Sequence, residues 1–383
     1  MPTPNSGPTK AKTQVGQSGQ QQAAGRLPGR GRALASLGAL GRGYAGRRDQ
    51  TPALLPTAVI VVLGVLVLSG LSNPATLFNW YLVIIYALFA LSANVVVGWN
   101  GIGTFGHALY FAAGAYAVAL LASHNLPAEV LLLLGAAVGA AIGLVFALAA
   151  TRTGSLVAMA MLTLMFAQLG YQIVYGVSVF GGENGLVGIP RGSVFGVNLN
   201  STTAFNWYIM IVFGLCWYAL VRFRRSTVVR SMLAARDDPT RARAAGLHVT
   251  TLRVIGFVVG GMFAGLAGAL YSQTEGVIGS DVAYWTTSGM VLIMVIIGGT
   301  GRLWGPVIGA ALYTWGNVYL LHTTSTMNVY LGAALLVILL VAPQGIAQLL
   351  VSSTHWVTAK VLRRWPVAPA AQDATTGKED LWT

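Results

Sequence analysis

Charged residues are concentrated in one short stretch that could serve as a contact for another protein. The stretch ARDDPTRARAAGLHV, residues 235–249, contains five of them, although only 9% of the chain is charged. Asp238 followed by Pro239 predicts the start of a helix, because aspartate accepts hydrogen bonds from free N–H groups and proline lacks an N–H that would need a partner. Gly246 predicts its end, since glycine adopts the positive φ found there. The helix should be about 10 Å long.

Two interpretations of this helix follow from the residues alone. It is either a rigid docking element or a solvated loop that fixes the orientation of the chain in a membrane, and the pattern favours neither. Asp237 and Asp238 lie at the positive end of the helix dipole, which stabilises the helix in both cases. The segment before it is amphipathic, with one side formed by Val228, Val229, Met232 and Leu233.

The chain lacks the residue patterns that would give it chemistry of its own. It contains no Gly-x-x-x-x-Gly-Lys-Ser/Thr phosphate loop, since its one Gly-Lys pair, Gly377–Lys378, precedes Glu379. It has no Gly-x-Ser-x-Gly nucleophile elbow, and its five histidines show no metal-ligand spacing. We therefore expect no catalytic residue, no metal and no cofactor, with ATP bound by partner subunits if it is used. These features indicate a conduit rather than an enzyme.

Polar side chains inside apolar segments are the candidates for a substrate path. Ser92 and Asn94 lie in one such segment, and Gln168 and Gln172 lie in another. In hydrocarbon each of them needs a hydrogen-bonding partner or water, so bonding between helices and lining a path are equally good interpretations. His107 stands just inside a third segment, where a histidine more often forms hydrogen bonds at a helix end than binds a ligand.

The elements that must position these residues are membrane-spanning helices. Of the 383 residues 55% are hydrophobic, and the mean hydropathy is +0.68, so the chain cannot cover its apolar residues with polar ones. We expect an all-α polytopic membrane protein with about ten transmembrane helices. The predicted spans are residues 53–72, 76–98, 103–123, 127–150, 155–178, 204–221, 253–271, 286–298, 306–320 and 329–342.

The basic residues predict the orientation of these spans. With ten spans and a cytoplasmic N-terminus, all of the 23 lysines and arginines except Arg191 fall in cytoplasmic segments. The C-terminus is then cytoplasmic as well. This gives a basic tail at residues 1–52, a transmembrane domain at 53–342 and a C-terminal tail at 343–383. The loop 222–252, which contains the charged stretch, is cytoplasmic.

The net charge of +13 does not indicate a nucleic-acid partner, because the tail carries much of it. Eight basic residues lie among the first fifty, in a segment rich in Gly, Gln, Pro and Ser that has no apolar periodicity and is expected to be disordered. The tail either fixes the topology or contacts anionic lipid of the bilayer. The single cysteine, Cys216, lies in an apolar run and excludes a disulfide framework.

Small residues in the seventh span predict close contact between helices. They form two rows at helical spacing, Gly256, Gly260, Ala264 and Gly268 in one and Gly261, Gly265 and Ala269 in the other. Two Gly-rich breaks, GWNGIGTFGH from residue 98 and GGTGRLWGP from residue 298, each lead into a helix rich in Gly and Ala. Their likeness raises the hypothesis of an internal duplication.

Several blocks of the chain resemble the permease subunits of branched-chain amino acid ABC transporters. These blocks are RSMLAARDDPTRARAAGLHVTTLRVIGFVVGGMFAGLAGALY, GWNGIGTFGHALYFAAGAYAVALL, TRTGSLVAMAMLTLMFAQL with GGENGLVGIP, and IIGGTGRLWGPVIGAALY. The resemblance extends from about Tyr86 to Tyr313. It implies an importer permease in the bacterial cytoplasmic membrane that works by alternating access and pairs with a second permease subunit, identical or similar.

The resemblance also implies partners for each side of the membrane. Two cytoplasmic ATPase subunits would hold the charged helix, with contacts at Arg236, Asp237, Asp238, Pro239, Arg241, Arg243, Ala245 and Gly246. An extracytoplasmic substrate-binding protein would deliver branched-chain or related hydrophobic amino acids, and its candidate contacts are Glu183, Glu275 and Asp281.

Two other readings of the function stay open at this point. Members of the same family that carry urea or short amides would share these motifs, which lie in loops and packing faces. An ion-coupled secondary transporter or channel would be a different class. It is disfavoured because Asp, Glu, Lys and Arg are absent from the interior of the ten spans, with Glu129 and Arg253 at span ends.

Overall fold

The computed structural model describes residues 73–124, 126–194 and 196–321, and this part of the chain is mostly helical. Eight of the predicted spans each contain one helix. The first span (53–72), the tenth (329–342) and both tails lie outside the described residues. The helices are α1 (Pro74–Asn94), α2 (His107–Leu121), α3 (Ala128–Ala150), α4 (Leu156–Gly176), α5 (Thr202–Arg224), α6 (Thr227–Asp237), α7 (Pro239–Ala244), α8 (Val249–Glu275), α9 (Trp285–Gly298) and α10 (Trp304–Leu321).

Five helices of the described part are long and apolar enough to cross a membrane. They are α3, α4, α5, α8 and α1, which continues as a π-helical turn, Val95–Trp99. Helices α2 and α9 are apolar but shorter, with 15 and 14 residues, which corresponds to about 22 Å and 21 Å. A multi-pass membrane protein is the architecture that these helices support.

Helices α2 and α9 both begin midway along the long helix α8. The Nε2 atom of His107, the first residue of α2, lies beside Gly260 in the middle of α8, and Ala108 N–H donates to Ser288 Oγ in the first turn of α9 (2.8 Å). The predicted span 103–123 is therefore helical only from residue 107. The glycines before it leave the backbone without the side-chain packing that holds a helix, and Gly101 has a φ of 72°.

The ends of the helices form two distinct faces of the described bundle. At the basic end, α1, α3, α5 and α9 finish and α4, α8 and α10 begin, together with α6 and α7. At the hairpin end, the strands β1 (Leu186–Val187) and β4 (Val277–Ile278) pair antiparallel, as do β2 (Ser193–Val194) and β3 (Val197–Asn198). The first pair joins the loop after α4 to the loop after α8.

Helix α8 packs against α1, α2 and α3 through its small residues. A Cβ on Gly265 would overlap the carbonyl oxygen of Gly135 on α3, and a Cβ on Gly268 would overlap that of Phe111 on α2. A Cβ on Gly260 would lie 2.7 Å from Val96 Cγ2 on the extension of α1. The predicted close packing is confirmed, and it places the neighbouring backbones in direct contact.

This packing can be tested by adding a single methyl group. We expect Gly265→Ala to destabilise the protein by about 1–3 kcal/mol, because two backbones must separate to admit the methyl group. Gly214→Ala on α5 is the matched control, since nothing lies within 4 Å of its Cβ position, and it should be neutral or stabilising. Thermal unfolding in lipid nanodiscs measures both, and equal midpoints for the two variants would contradict the packing.

Candidate coupling site at the basic end

The short amphipathic helix α6 leads into the charged stretch. Ser226 caps it by accepting a hydrogen bond from Val229 N–H (3.4 Å). Val229, Met232 and Ala235 are buried, and they recur at helical spacing along one face. The packing of this face against the membrane-spanning helices fixes the position of the segment that follows.

Helix α7 is capped at its start by Asp238, as the sequence predicts. The Oδ1 atom of Asp238 accepts hydrogen bonds from the N–H groups of Thr240 and Arg241, both at 3.0 Å. Pro239 occupies the first turn. The Oδ2 atom also pairs with Arg241 Nε at 2.9 Å, but Arg241 is exposed, so the ion pair adds little stability. The cap therefore gives α7 most of its local rigidity.

The other end of α7 is closed by a left-handed glycine. Gly246 has a φ of 83°, and Leu247 N–H donates to the carbonyl oxygen of Ala242 (3.0 Å), which satisfies an end of the helix that would otherwise lack a donor. Ala242 is the buried residue of this helix, whereas Arg243 and Ala245 are exposed. A six-residue helix capped at both ends is thus presented to solvent as a rigid element.

One of the predicted contact residues, Arg236, is exposed but also contacts the membrane-spanning part of the protein. Its Nη1 donates to the carbonyl oxygen of Gly98 at the end of α1, and its side-chain carbons lie against Gly101. Gly301, in the turn before α10, lies next to the same guanidinium group. Arg236 therefore links α6 to both Gly-rich breaks, while the exposed Asp237 next to it stays at the surface.

The two Gly-rich breaks meet at a hydrogen-bonded contact that we call the inner junction, formed by Asn94, Trp99, Gly301 and Arg302. Asn94 Nδ2 donates to the carbonyl oxygen of Arg302 (2.9 Å), and Asn94 Oδ1 accepts from Gly301 N–H (2.8 Å). Trp99 Nε1 donates to the carbonyl oxygen of Gly301 (3.1 Å). These bonds correspond to the first of the two interpretations of Asn94, hydrogen bonding between helices rather than lining a path.

The other buried path candidates are also engaged in packing. Ser92 Oγ donates to the carbonyl oxygen of Phe89 one turn earlier in α1 (2.6 Å). His107 is fully buried, with Tyr110 and Phe89 against its ring at centroid distances of 5.3 and 6.5 Å. The backbone of Ser92 on α1 interacts with the His107 ring, which agrees with a hydrogen-bonding role at the start of α2.

The two glutamines lie elsewhere. Gln172 is exposed and Gln168 half-buried on α4, a helix whose exposed face also carries Met161, Met165 and Leu169. Ser92, Asn94 and His107 are fully buried, so the five path candidates do not line one continuous surface within the described part of the chain.

The three acidic candidates for outside contacts lie in the two loops that β1 and β4 join. Glu183 and Asp281 are exposed, in the short turns Gly182–Asn184 and Ser280–Ala283. Glu275 is half-buried at the end of α8, near Tyr271, so it is less accessible than the other two. The structure brings all three to the hairpin end.

Comparison with known proteins finds a matching family. Residues 75–342, more than half of the chain, match the family described as "Branched-chain amino acid transport system / permease component". The chain belongs to this family. The resemblance to permease subunits of branched-chain amino acid ABC transporters is thereby confirmed. No solved structure matches the chain.

Individual relatives within the family are distant. The high-affinity branched-chain amino acid transport system permease protein LivM of Salmonella typhimurium is 26% identical over 287 residues, which is 68% of this chain and 67% of the relative. LivM of Escherichia coli is 24% identical over 290 residues, which is 69% and 68% of the two chains. The permease protein LivH of Salmonella typhimurium is 31% identical over 152 residues, 38% of this chain and 48% of LivH.

The inner junction was not predicted from the sequence, and it can be tested directly. Asn94→Ala leaves the N–H of Gly301 and the carbonyl oxygen of Arg302, both half-buried, without these partners, and the loss of each bond costs about 0.5–1.5 kcal/mol. Ser92→Ala is the matched control, because it removes only a hydrogen bond within α1. We expect a clearly lower unfolding midpoint in nanodiscs for Asn94→Ala alone. An equal decrease in both variants would contradict the junction.

Proposed function

We propose that this chain is the permease subunit of an ATP-driven importer and moves branched-chain or related hydrophobic amino acids across the bacterial cytoplasmic membrane by alternating access. The observation that carries the proposal is α7, a short helix that is capped at both ends and exposed at the basic end. The sequence holds no phosphate loop, so ATP would be hydrolysed by two separate subunits at the cytoplasmic face.

The ATPase subunits would contact α7 and the residues around it. Asp237, Arg241, Arg243 and Ala245 are exposed there, and an open depression next to them is lined by Arg243 and residues 246–251. A rigid helix beside a shallow depression could transmit movement of a neighbouring subunit, because a rigid α7 would move as a unit instead of bending.

The contacts of Arg236 supply a route from α7 to the membrane helices. When α7 and α6 move, the hydrogen bond from Arg236 to Gly98 would carry the movement to the end of α1. The inner junction would then pass it to the turn before α10. Movement of two packed elements in this way is a common basis of alternating access.

The second permease subunit would cover the exposed face of α4. Gln172 is exposed on this helix among Met161, Met165 and Leu169. An amide facing hydrocarbon lacks hydrogen-bond partners, so a protein surface satisfies it better than lipid does. The chain alone does not distinguish an identical from a similar partner.

The hairpin end would face the outside and receive a substrate-binding protein. Glu183 and Asp281 lie there in loops that β1 and β4 join, so their charges are held at a fixed spacing. The substrate class is supported by LivM and LivH, whose names describe branched-chain amino acid transport.

Reconstitution separates this proposal from a self-sufficient carrier. The chain should take up labelled leucine into proteoliposomes only when a second permease, the ATPase subunits, ATP and the binding protein are all present. Uptake by the isolated chain, driven by an ion gradient and independent of ATP, would contradict the proposal.

The cap of α7 provides a sharper test of coupling. We expect Asp238→Ala to cost about 1 kcal/mol of helix stability and to reduce leucine uptake while ATP hydrolysis continues, because a frayed α7 no longer transmits force. Asp238→Ser removes the same charge but can still cap the helix, so uptake should be retained. Uptake that falls equally in both variants would show that the carboxylate, rather than the rigidity of α7, is needed.

A further inference from the structure

Buried polar atoms at the hairpin end, in the side chains of Glu129 and Gln273, lack hydrogen-bond partners among the described residues. Tyr208 on α5 donates its hydroxyl hydrogen to Gln273 Oε1 on α8 (3.0 Å), and the two residues are 7% and 1% exposed. Gln273 Nε2 and Glu129 Oε2, in the first turn of α3, are buried without hydrogen-bond partners in this part of the chain. Glu129 lies within electrostatic range of Tyr208.

Arg191 brings a positive charge to the same place. Its guanidinium carbon lies 4.3 Å from the centre of the Phe205 ring, and that ring is 6.0 Å from the ring of Tyr208. A Cβ on Gly192 would lie 3.6 Å from the Cβ of Ala128. Arg191 and the glutamate that follows Ala128 therefore emerge from adjoining stretches of backbone.

The loop that carries Arg191 is held in position over the end of α8. The N–H groups of Gly188 and Ile189 both donate to the carbonyl oxygen of Gly276, each at 3.0 Å. Gly276 follows the last residue of α8, one turn beyond Gln273. The loop therefore lies close to the ends of α3, α5 and α8. Its backbone hydrogen bonds help to fix the position of Arg191, in addition to the contacts of the Arg191 side chain.

The chemistry of this region matches the head group of an amino acid. Buried polar atoms are nearly always hydrogen-bonded to protein, water or ligand, so the free atoms of Glu129 and Gln273 require an occupant. A carboxylate binds an ammonium group and a guanidinium binds a carboxylate. The rings of Phe205 and Tyr208 offer an apolar surface beside these charges, suited to a hydrophobic side chain.

We propose that Glu129, Tyr208, Gln273 and Arg191 form an outer acceptor site for a zwitterionic hydrophobic amino acid. Glu129 holds its ammonium group, Arg191 holds its carboxylate with the free Nε2–H of Gln273 as a further donor, and the ring of Phe205 contacts its side chain. This inference rests on the proposed function, since it assigns a place where the substrate would first bind the permease. It also predicts that recognition depends on both charges of the substrate.

Binding measured on the assembled transporter in nanodiscs, without the substrate-binding protein, tests the site. The probes are leucine, leucinamide, which lacks the carboxylate, and 4-methylpentanoate, which lacks the amine, each measured by saturation-transfer difference NMR. Glu129→Gln should weaken the binding of leucine and of leucinamide about tenfold and leave the binding of 4-methylpentanoate unchanged. Arg191→Gln should weaken the binding of leucine and of 4-methylpentanoate about tenfold and leave the binding of leucinamide unchanged. Asn200→Ala, at an exposed polar residue of the same end, is the matched control and should change none.

This pattern across ligands cannot come from general damage to the fold, which would weaken all three probes together. The inference is overturned if the wild-type transporter binds none of the probes, if both variants lose all three equally, or if they behave like Asn200→Ala. ATP-driven uptake with the binding protein present is measured on the wild type in parallel. This uptake measurement tests the proposed function separately. If uptake occurs but the binding pattern is absent, the acceptor site is rejected and the proposed function is not.

Discussion

The side chain of Asn94 joins two parts of the bundle that are about 200 residues apart in the chain. Its amide uses both polar atoms at once, on the N–H of Gly301 and the carbonyl oxygen of Arg302. An amide buried among apolar helices has no water to replace these partners. The positions of the end of α1, the turn before α10 and Arg236 above them all depend on this contact.

The structure therefore combines two regions of different character. The middle of the bundle is held by glycine contacts between α8 and its neighbours, where backbones touch and small changes are costly. The basic end is held by a few directed hydrogen bonds around Arg236 and Asn94. Directed bonds can exchange between two arrangements more readily than a close-packed core can, so the basic end is where a conformational change would begin.

Local chemistry was predictable from the sequence, and contacts between distant segments were not. Asp238, Pro239 and Gly246 act on their immediate neighbours, so their types and spacing were enough to predict both ends of α7. Asn94 gave an open choice, because a polar residue in an apolar helix looks the same whether it bonds to another helix or lines a path. Its partners lie 207 and 208 residues away, and no local pattern indicates them.

The same limit explains the start of α2 and the region around Glu129. Hydropathy favoured a span from residue 103, but it does not register that the segment before His107, with glycines at 101, 103 and 106, is not helical. Glu129 belongs to the first turn of α3 and Arg191 to the loop after α4, and only the folded chain brings them to the end of α8. The family resemblance, by contrast, rested on blocks of residues and was confirmed over residues 75–342.

Hydrogen exchange on the assembled transporter, with and without ATP bound to hydrolysis-deficient ATPase subunits, tests the central claim most directly. If α7 acts on the membrane helices through Arg236 and the inner junction, ATP should change amide protection in residues 236–246 and, in the same state, in residues 98–101 and 299–302. A change confined to residues 236–246, with both Gly-rich breaks unaltered, would contradict this account.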